Sequence, residues 1–360
     1  MKTKFNLLIA FITLFAMSCN DKKDVVKGDY QSGVLVVNAG DFSAGNGDVT
    51  YYNPSTSKAE DNIFHTVNGD FVDGDLQSVT IDGDNGYLVG SEGNKIIINN
   101  INTFQSTSTF NDALLINPRY AAVINNKGYV STWGDYDANY NLTKSYILTF
   151  DTKTLELVDT IGTDVGAENV LYNGKYLFVA TNNFSGTNTI SVINPATDKR
   201  INKIALSSSP ASLVIDANSK LWAITYGTGS YDANYNYVGN NDGALYRINP
   251  STFAIEQTIN LNANPNGNLV TSSDKKTLFY VVGNSVYKIG ISETSAPANA
   301  FISNSDFVSV SCIGVNNSDD IYIGDAISYS SPGTAYIYDA NGSAKSSFTT
   351  GIDPLQFIFR

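Results

Sequence analysis

Histidine and cysteine are almost missing from this chain. Among 360 residues there is one His, His65, and there are two Cys, Cys19 and Cys312. No Cys/His cluster has zinc spacing, no G-x-S-x-G marks a nucleophile elbow, and no glycine-rich run has the form of a phosphate loop. The groups that a zinc enzyme or a Ser-His hydrolase requires are therefore not found. His65, in "NIFHTV", is expected on an outer strand in a surface role. Cys312 sits in the alternating apolar run "VSVSCIGV", where a buried, inert thiol without a disulfide partner is expected.

Positive charge is also scarce. Lys and Arg total 22 against 34 Asp and Glu, for a net charge of −12 and a sequence pI of about 4.5. A polyanion would meet repulsion over most of such a surface, and no Lys/Arg cluster with interleaved aromatics offers a local exception, so nucleic acid is excluded as a partner. Charged residues make up only 16% of the chain, and Asn, Ser, Thr and Gly fill the polar positions. With 22 Tyr and 18 Phe, the composition favours pleated strands and tight turns over helices.

The chain opens "MKTKFNLLIAFITLFAMSCNDKKD". Lys2 and Lys4 precede an apolar stretch, Phe5 to Phe15, that is too short to span a bilayer, and small residues lead to Cys19. This resembles a bacterial lipoprotein signal. The resemblance implies cleavage before Cys19 and attachment of the new N-terminus to outer-membrane lipid through that residue, with several acyl chains holding far more firmly than one. Residues 1–18 are then a signal peptide, 19–32 a lipidated Cys with a polar tether, and 33–360 the folded domain.

A unit of about 45 residues recurs through that domain. Apolar strands open at 33 (GVLVVN), 86 (GYLVGS), 128 (GYVSTW), 175 (KYLFVA), 220 (KLWAIT), 277 (TLFYVV) and 320 (DIYIGD). Each is followed by a polar loop and a further strand, such as "DVTYYNPSTS", "SYILTFDTKTL" or "TISVINPATDK", that ends in an Asn or Asp turn. Most are preceded by another strand of period two, among them "SVTIDG", "RYAAVINN" and "ASLVIDAN". Seven four-stranded units at this period indicate an all-β, seven-bladed β-propeller. The unit at 33–64 lacks an innermost strand, whereas the chain ends in "PLQFIFR", a strand with no unit of its own. Residues 355–359 are expected to complete the first blade, which joins the chain ends and leaves no open sheet edge.

In a propeller the inter-blade connections and the loops between second and third strands share one face. Here five of those loops are long and carry aromatics: "NAGDFSAGNG", "WGDYDANYN", "TNNFSGTN", "YGTGSYDANYNYVGNNDG" and "GDAISYSSPG". Phe42, Tyr136, Tyr140, Phe184, Tyr231, Tyr235, Tyr237 and Tyr329 should crowd one rim, with Trp133 and Tyr226 just inside it. Grouped exposed aromatics mark interaction sites, and Tyr offers area and a hydroxyl at low entropic cost. Packing of these rings on one another to close the funnel is the alternative. Arg119 in "NPRY" and Glu168 in "GAEN" fall in inter-blade loops, either as polar contacts that orient a ligand or as an ion pair between neighbouring blades.

Six residues, "YDANYN", occur twice, at 136–141 and 231–236. Asn139 and Asn234 join the neighbouring tyrosines as candidate ligand contacts. Asp135, Asp137, Asn139 and Asn141 alternate as hard oxygen ligands of a calcium loop would, but Tyr140 stands at the sixth position, where that loop needs Gly, and Tyr146 at the twelfth, where it needs Glu. In the second copy Ser230 replaces the first Asp.

The run "VVNAGDFSAGNGDVTYYNP" with "NIF", "NGD" and "GDLQSV", followed by "NPRY", "GYVSTWG" and the closing "GIDPLQFIF", resembles the YncE-like propeller lipoproteins of Bacteroidota. The resemblance covers nearly the whole chain after Cys19. Its best understood members are surface proteins that capture cobalamin and hand it to a TonB-dependent transporter. It implies an outer-membrane lipoprotein facing the cell exterior, a corrinoid or other small nutrient as ligand, a transporter as partner, no cofactor and no catalysis. An adhesion or interaction propeller for protein or glycan is the second reading. A lyase or hydrolase with paired carboxylates from separate blades is the third.

Overall fold

The computed structural model describes residues 28–182, 187–231, 237–239 and 242–360. Among them the strands form seven antiparallel blades in a ring, as the spacing predicts. The innermost strands of blades one to seven are Pro354–Phe359, Leu76–Asp82, Pro118–Ile124, Ala167–Tyr172, Pro210–Ile215, Pro265–Thr271 and Val310–Val315. Second strands such as Leu177–Thr181 and Leu221–Thr225 are buried at every residue, whereas outer strands such as Lys199–Ala205 are mostly exposed. The difference follows from position. A sheet held between two neighbours buries both faces of its middle strands, so these read as continuous apolar runs.

The hydrophobic core is divided among the seven blade interfaces. Leu35, Val49 and Tyr51 of blade one meet Val79, Leu88 and Ile97 of blade two. Tyr87, Val89 and Ile98 of blade two meet Ala121, Val130 and Leu148 of blade three, and the pattern continues to Tyr322 and Ile337 of blade seven against Val36 and Phe357 of blade one. Polar side chains stitch the same interfaces around the axis. Ser78 Oγ donates to the Arg119 carbonyl (2.7 Å), Ser131 Oγ to Glu168 (2.6 Å), Ser212 Oγ to Leu269 (3.3 Å), Asn268 Nδ2 to Ser311 (2.8 Å) and Ser311 Oγ to Pro354 (2.6 Å). The Leu213 amide donates to Asn169 Oδ1, and the Val79 amide to Gln356 Oε1, which completes the circuit.

Closure runs through the C-terminal strand, as expected from its missing blade. Val34 pairs with Phe359, Leu35 with Ile358 and Val36 with Phe357. Arg360 then binds the start of the described chain, donating to the carbonyls of Tyr30 (2.9 Å) and Ile101 (2.6 Å) and to Asn102 Oδ1 (2.7 Å). Tyr30 is buried edge-on against Tyr51 and Phe104, so the last residues of the expected tether are packed against the blades.

His65 lies on a short helix, Ile63–Asn68, and not on the outer strand that its apolar neighbours suggested. The Asp48 carboxylate accepts the amides of Phe64 and His65, at 2.8 Å each, and so satisfies the first turn of that helix. The imidazole stacks on Phe71 at 4.2 Å.

Candidate functional site

Each innermost strand is irregular at the same place. A register shift falls just after Leu76, Pro118, Ala167, Pro210, Pro265 and Val310, and at Pro354 against Val37 and Asn38. A bulge re-aims the side chain it carries. Repeated seven times, it sets Gln77, Arg119, Glu168, Ala211, Asn266, Ser311 and Leu355 around the entrance of the central channel, a cavity of about 680 Å³. Tyr120, Asn169, Asn182, Tyr226, Asn268 and Gln356 also line it.

Two charges dominate the entrance, and they satisfy each other. Arg119 of blade three donates from Nε to both Glu168 oxygens (3.1 Å each) and from Nη2 to Oε1 (3.0 Å), while Nη1 reaches Ser91 Oγ at 3.3 Å. Trp133 Nε1 donates to Glu168 Oε2 (2.7 Å), and the guanidinium lies 4.2 Å from the Trp133 ring. This is the inter-blade ion pair foreseen as one of two roles for these residues. Burial works against the guanidinium charge, but the Glu168 carboxylate outweighs it and holds the Arg119 pKa above its usual value. A bidentate pair with an indole donor and a stacked ring is a preorganised unit, and it leaves the channel below with neutral donors and acceptors.

Two phenols stand in that neutral part. Burial, then the Glu168 charge, pushes Tyr120 up to about 12 and raises Tyr226 as well, so both remain protonated donors at neutral pH. Tyr226 has its place because blade six offers Gly267 there, at φ +90°. A Cβ on that residue would lie 2.4 Å from the phenol oxygen.

Four of the rim rings have described side chains, and these stand open instead of packing together. Phe42 is 75% exposed, Tyr140 87%, Tyr329 66% and Tyr136 44%. Tyr136 feels the charges of both Arg119 and Glu168, and burial raises its phenol above the ordinary value. Phe184, Asn234 and Tyr235 fall outside the described residues. Of Tyr231 and Tyr237 the backbone is described, in the two-stranded ribbon Gly229–Tyr231 with Tyr237–Gly239.

The two copies of the hexapeptide share one backbone feature. Tyr136 bridges Leu142 in the first copy, and Tyr231 pairs with Tyr237 in the second, so in both the first tyrosine pairs with the residue six positions on. In the first copy Asp137 Oδ1 accepts the amides of Asn139 (2.8 Å) and Asn141 (2.9 Å), and these bonds lower its pKa. The carboxylate that the calcium reading enlisted is engaged in shaping the turn. Among the described residues no group of three His, Cys, Asp or Glu side chains is placed to hold a metal ion.

Beside the entrance, Asp353 links the last outer strand to the closing strand at φ 53°, and burial with the nearby Asp75 pushes its carboxyl up to about 6. A carboxyl with a raised folded-state pKa costs stability above that value, and the cost disappears as pH falls towards its unfolded value. Asp353→Asn keeps a residue that tolerates positive φ. It is expected to raise the melting temperature by about 5 °C at pH 7 and to change little at pH 4, as thermal melts at the two values will show. An equal shift at both would remove ionisation as the cause.

The seven-fold entrance was only half visible in the sequence. Arg119 and Glu168 drew notice as charges in inter-blade loops, whereas Gln77, Tyr120, Asn169, Asn182, Asn266, Asn268 and Gln356 did not. The signal that would have found most of them is their position, one to three residues into each innermost strand.

Comparison with solved structures supports the fold. A quinonprotein alcohol dehydrogenase-like protein from Bacteroides thetaiotaomicron aligns with a TM-score of 0.70 at 15% identity, over 92% of this chain and 78% of that one. Kuenenia stuttgartiensis hydrazine synthase aligns at 0.60 and 14%, over 84% and 95%. The dihydro-heme d1 dehydrogenase NirN aligns at 0.58 and 10%, over 92% and 77%. At these identities the likeness is one of architecture. No curated protein matches the sequence. Residues 32–347, from the edge of the first blade into the last outer strand, match a family described as a domain of unknown function, and the chain is a propeller of that family, DUF5074.

Proposed function

We propose that this propeller is a lipid-anchored binding module of the outer membrane, facing the cell exterior, that captures a small nutrient of corrinoid type for a TonB-dependent transporter. The observation that carries the binding reading is the entrance itself. A cavity of about 680 Å³ lies within the usual size range for small-molecule sites, and its lining combines Tyr120 and Tyr226 with side-chain amides below one neutralised ion pair. Such a lining suits an uncharged face of a ligand rich in amides or hydroxyls. Anionic ligands are disfavoured, because Glu168 already occupies the guanidinium. The proposal assigns the protein no catalytic step.

Calorimetry of the purified domain against cobalamin and cobinamide tests the ligand class. Binding at micromolar concentration is the expected result, and silence there removes the corrinoid. Tyr136→Ala together with Tyr231→Ala is expected to weaken binding at least about tenfold while the melting temperature stays within a few degrees, since the Tyr136 ring is exposed and both residues belong to loops outside the blade core. A fall in melting temperature without loss of binding would make the ribbons structural. A second reading, an interaction propeller for protein or glycan, is favoured by one observation: Phe42, Tyr140 and Tyr329 stand out from the rim into solvent.

A further inference from the structure

We propose that, in the anchored protein, the channel mouth points away from the bilayer and the opposite face of the propeller is turned towards lipid. The inference rests on the lipoprotein reading above and adds an orientation to it. The first observation is where the chain enters the fold. Innermost strands run from the mouth to the far face, so Arg360, just past the end of Pro354–Phe359, lies on the far face. The N-terminal segment is clamped there. Tyr30 N donates to Asn102 O (3.1 Å), Arg360 Nη1 donates to Tyr30 O (2.9 Å), and Tyr51 Oη donates to Ser32 O (2.9 Å). Asn102 belongs to a turn on that same face, between Lys95–Asn100 and Ser106–Phe110. A lipid on Cys19 therefore pulls on the side opposite the mouth.

The length of chain between them limits the alternatives. From Cys19 to Gly28 there are nine peptide steps, which reach about 30 Å at full extension. To set the mouth on the membrane side, this segment would first have to climb the blade. Six strand residues alone rise about 20 Å, so little reach would remain.

The second observation is the distribution of charge. Among the described connecting loops of the mouth face, Asp41, Glu92, Asp112, Asp135, Asp164 and Asp306 are some of many acids, and Lys144 is the one cation. The turns of the opposite face are acidic as well, with Asp84, Glu156, Asp198, Asp319 and Asp339 among their carboxylates, but there Lys153, Lys175, Lys220, Lys275 and Lys276 offset a good part of that charge. An anionic leaflet repels the first face more than the second. In the protein free of a transporter the exposed Phe42, Tyr140 and Tyr329 thus project outward, where a ligand arrives from the medium, and delivery to a transporter then requires the propeller to tip on its tether.

Energy transfer to the membrane tests the orientation on the full lipidated chain. Acylation blocks the Cys19 sulfur, and the Cys312 thiol is fully buried with a pKa raised by that burial, so a maleimide donor dye labels only an introduced cysteine. Lys153→Cys marks the far face and Tyr329→Cys the mouth. The protein is placed in vesicles of phosphatidylethanolamine and phosphatidylglycerol that carry an acceptor-dye lipid. Because the labels differ in height by about 20 Å, transfer from Lys153→Cys is expected to exceed that from Tyr329→Cys about twofold or more. Equal transfer, or more from the mouth, overturns the orientation and leaves anchorage intact. A wild-type chain that still carries a reactive thiol at Cys19 overturns the lipoprotein reading, and this inference falls with it.

Discussion

Arg119→Ala is expected to cost about 3–5 kcal/mol, the usual penalty for stripping a buried carboxylate of its partner. Glu168 would keep only the Trp133 N–H, and the Trp133 ring would lose the guanidinium stacked on it. The melting temperature should fall by roughly 10 °C. The double variant Arg119→Met, Glu168→Gln should recover most of that loss, because a neutral pair of similar volume leaves no buried charge. Binding measured on this recovered double variant then separates two roles. If the ligand contacts the pair, affinity stays low although the fold is restored. If the pair only joins blades three and four, affinity returns with stability. A single variant that melts within two or three degrees of the wild type would show that solvent screens the pair, against its burial in the structure.

Deleting residues 354–360 is expected to abolish cooperative unfolding and to produce a chain that aggregates. The deletion opens the edge of Val34–Asn38, a strand buried at every residue, and open apolar edges recruit other chains. It also removes Phe357 and Phe359 from Tyr322, the Gln356 bonds to Val79, and the Arg360 clamp on Tyr30. A synthetic peptide of residues 352–360 should restore soluble, cooperatively melting protein in part, as size-exclusion chromatography and calorimetry will report. A truncated chain that melts like the wild type would contradict the closure.

The two predictions differ in how far their basis could be read from the sequence. Closure was legible, because "PLQFIFR" is a strand without a blade and 33–64 is a blade without a strand. The ion pair was legible only as two candidates. Arg119 and Glu168 are 49 residues apart, and their bidentate contact depends on the angle between blades three and four. The helix at Ile63–Asn68 shows a different failure. Its apolar residues suited a strand, and what stabilises it is Asp48 from the strand beside it, a contact that no local pattern encodes.

The channel lining shows the same limit at close range. Period-two reading allots alternate residues to one face, but the bulge in each innermost strand breaks that alternation where the ligand would enter, so Arg119 and Tyr120 both line the cavity although they are consecutive. Strand periodicity, turn residues and the 45-residue spacing act between near neighbours in the chain, and from them alone follow the seven blades, their closure and the face that carries the long aromatic loops. Which side chains meet at the channel, whether the described rim rings pack or stay open, and at which face the N-terminal segment joins the blades depend on contacts between residues as distant as Val79 and Gln356. Those contacts exist only once the ring has closed.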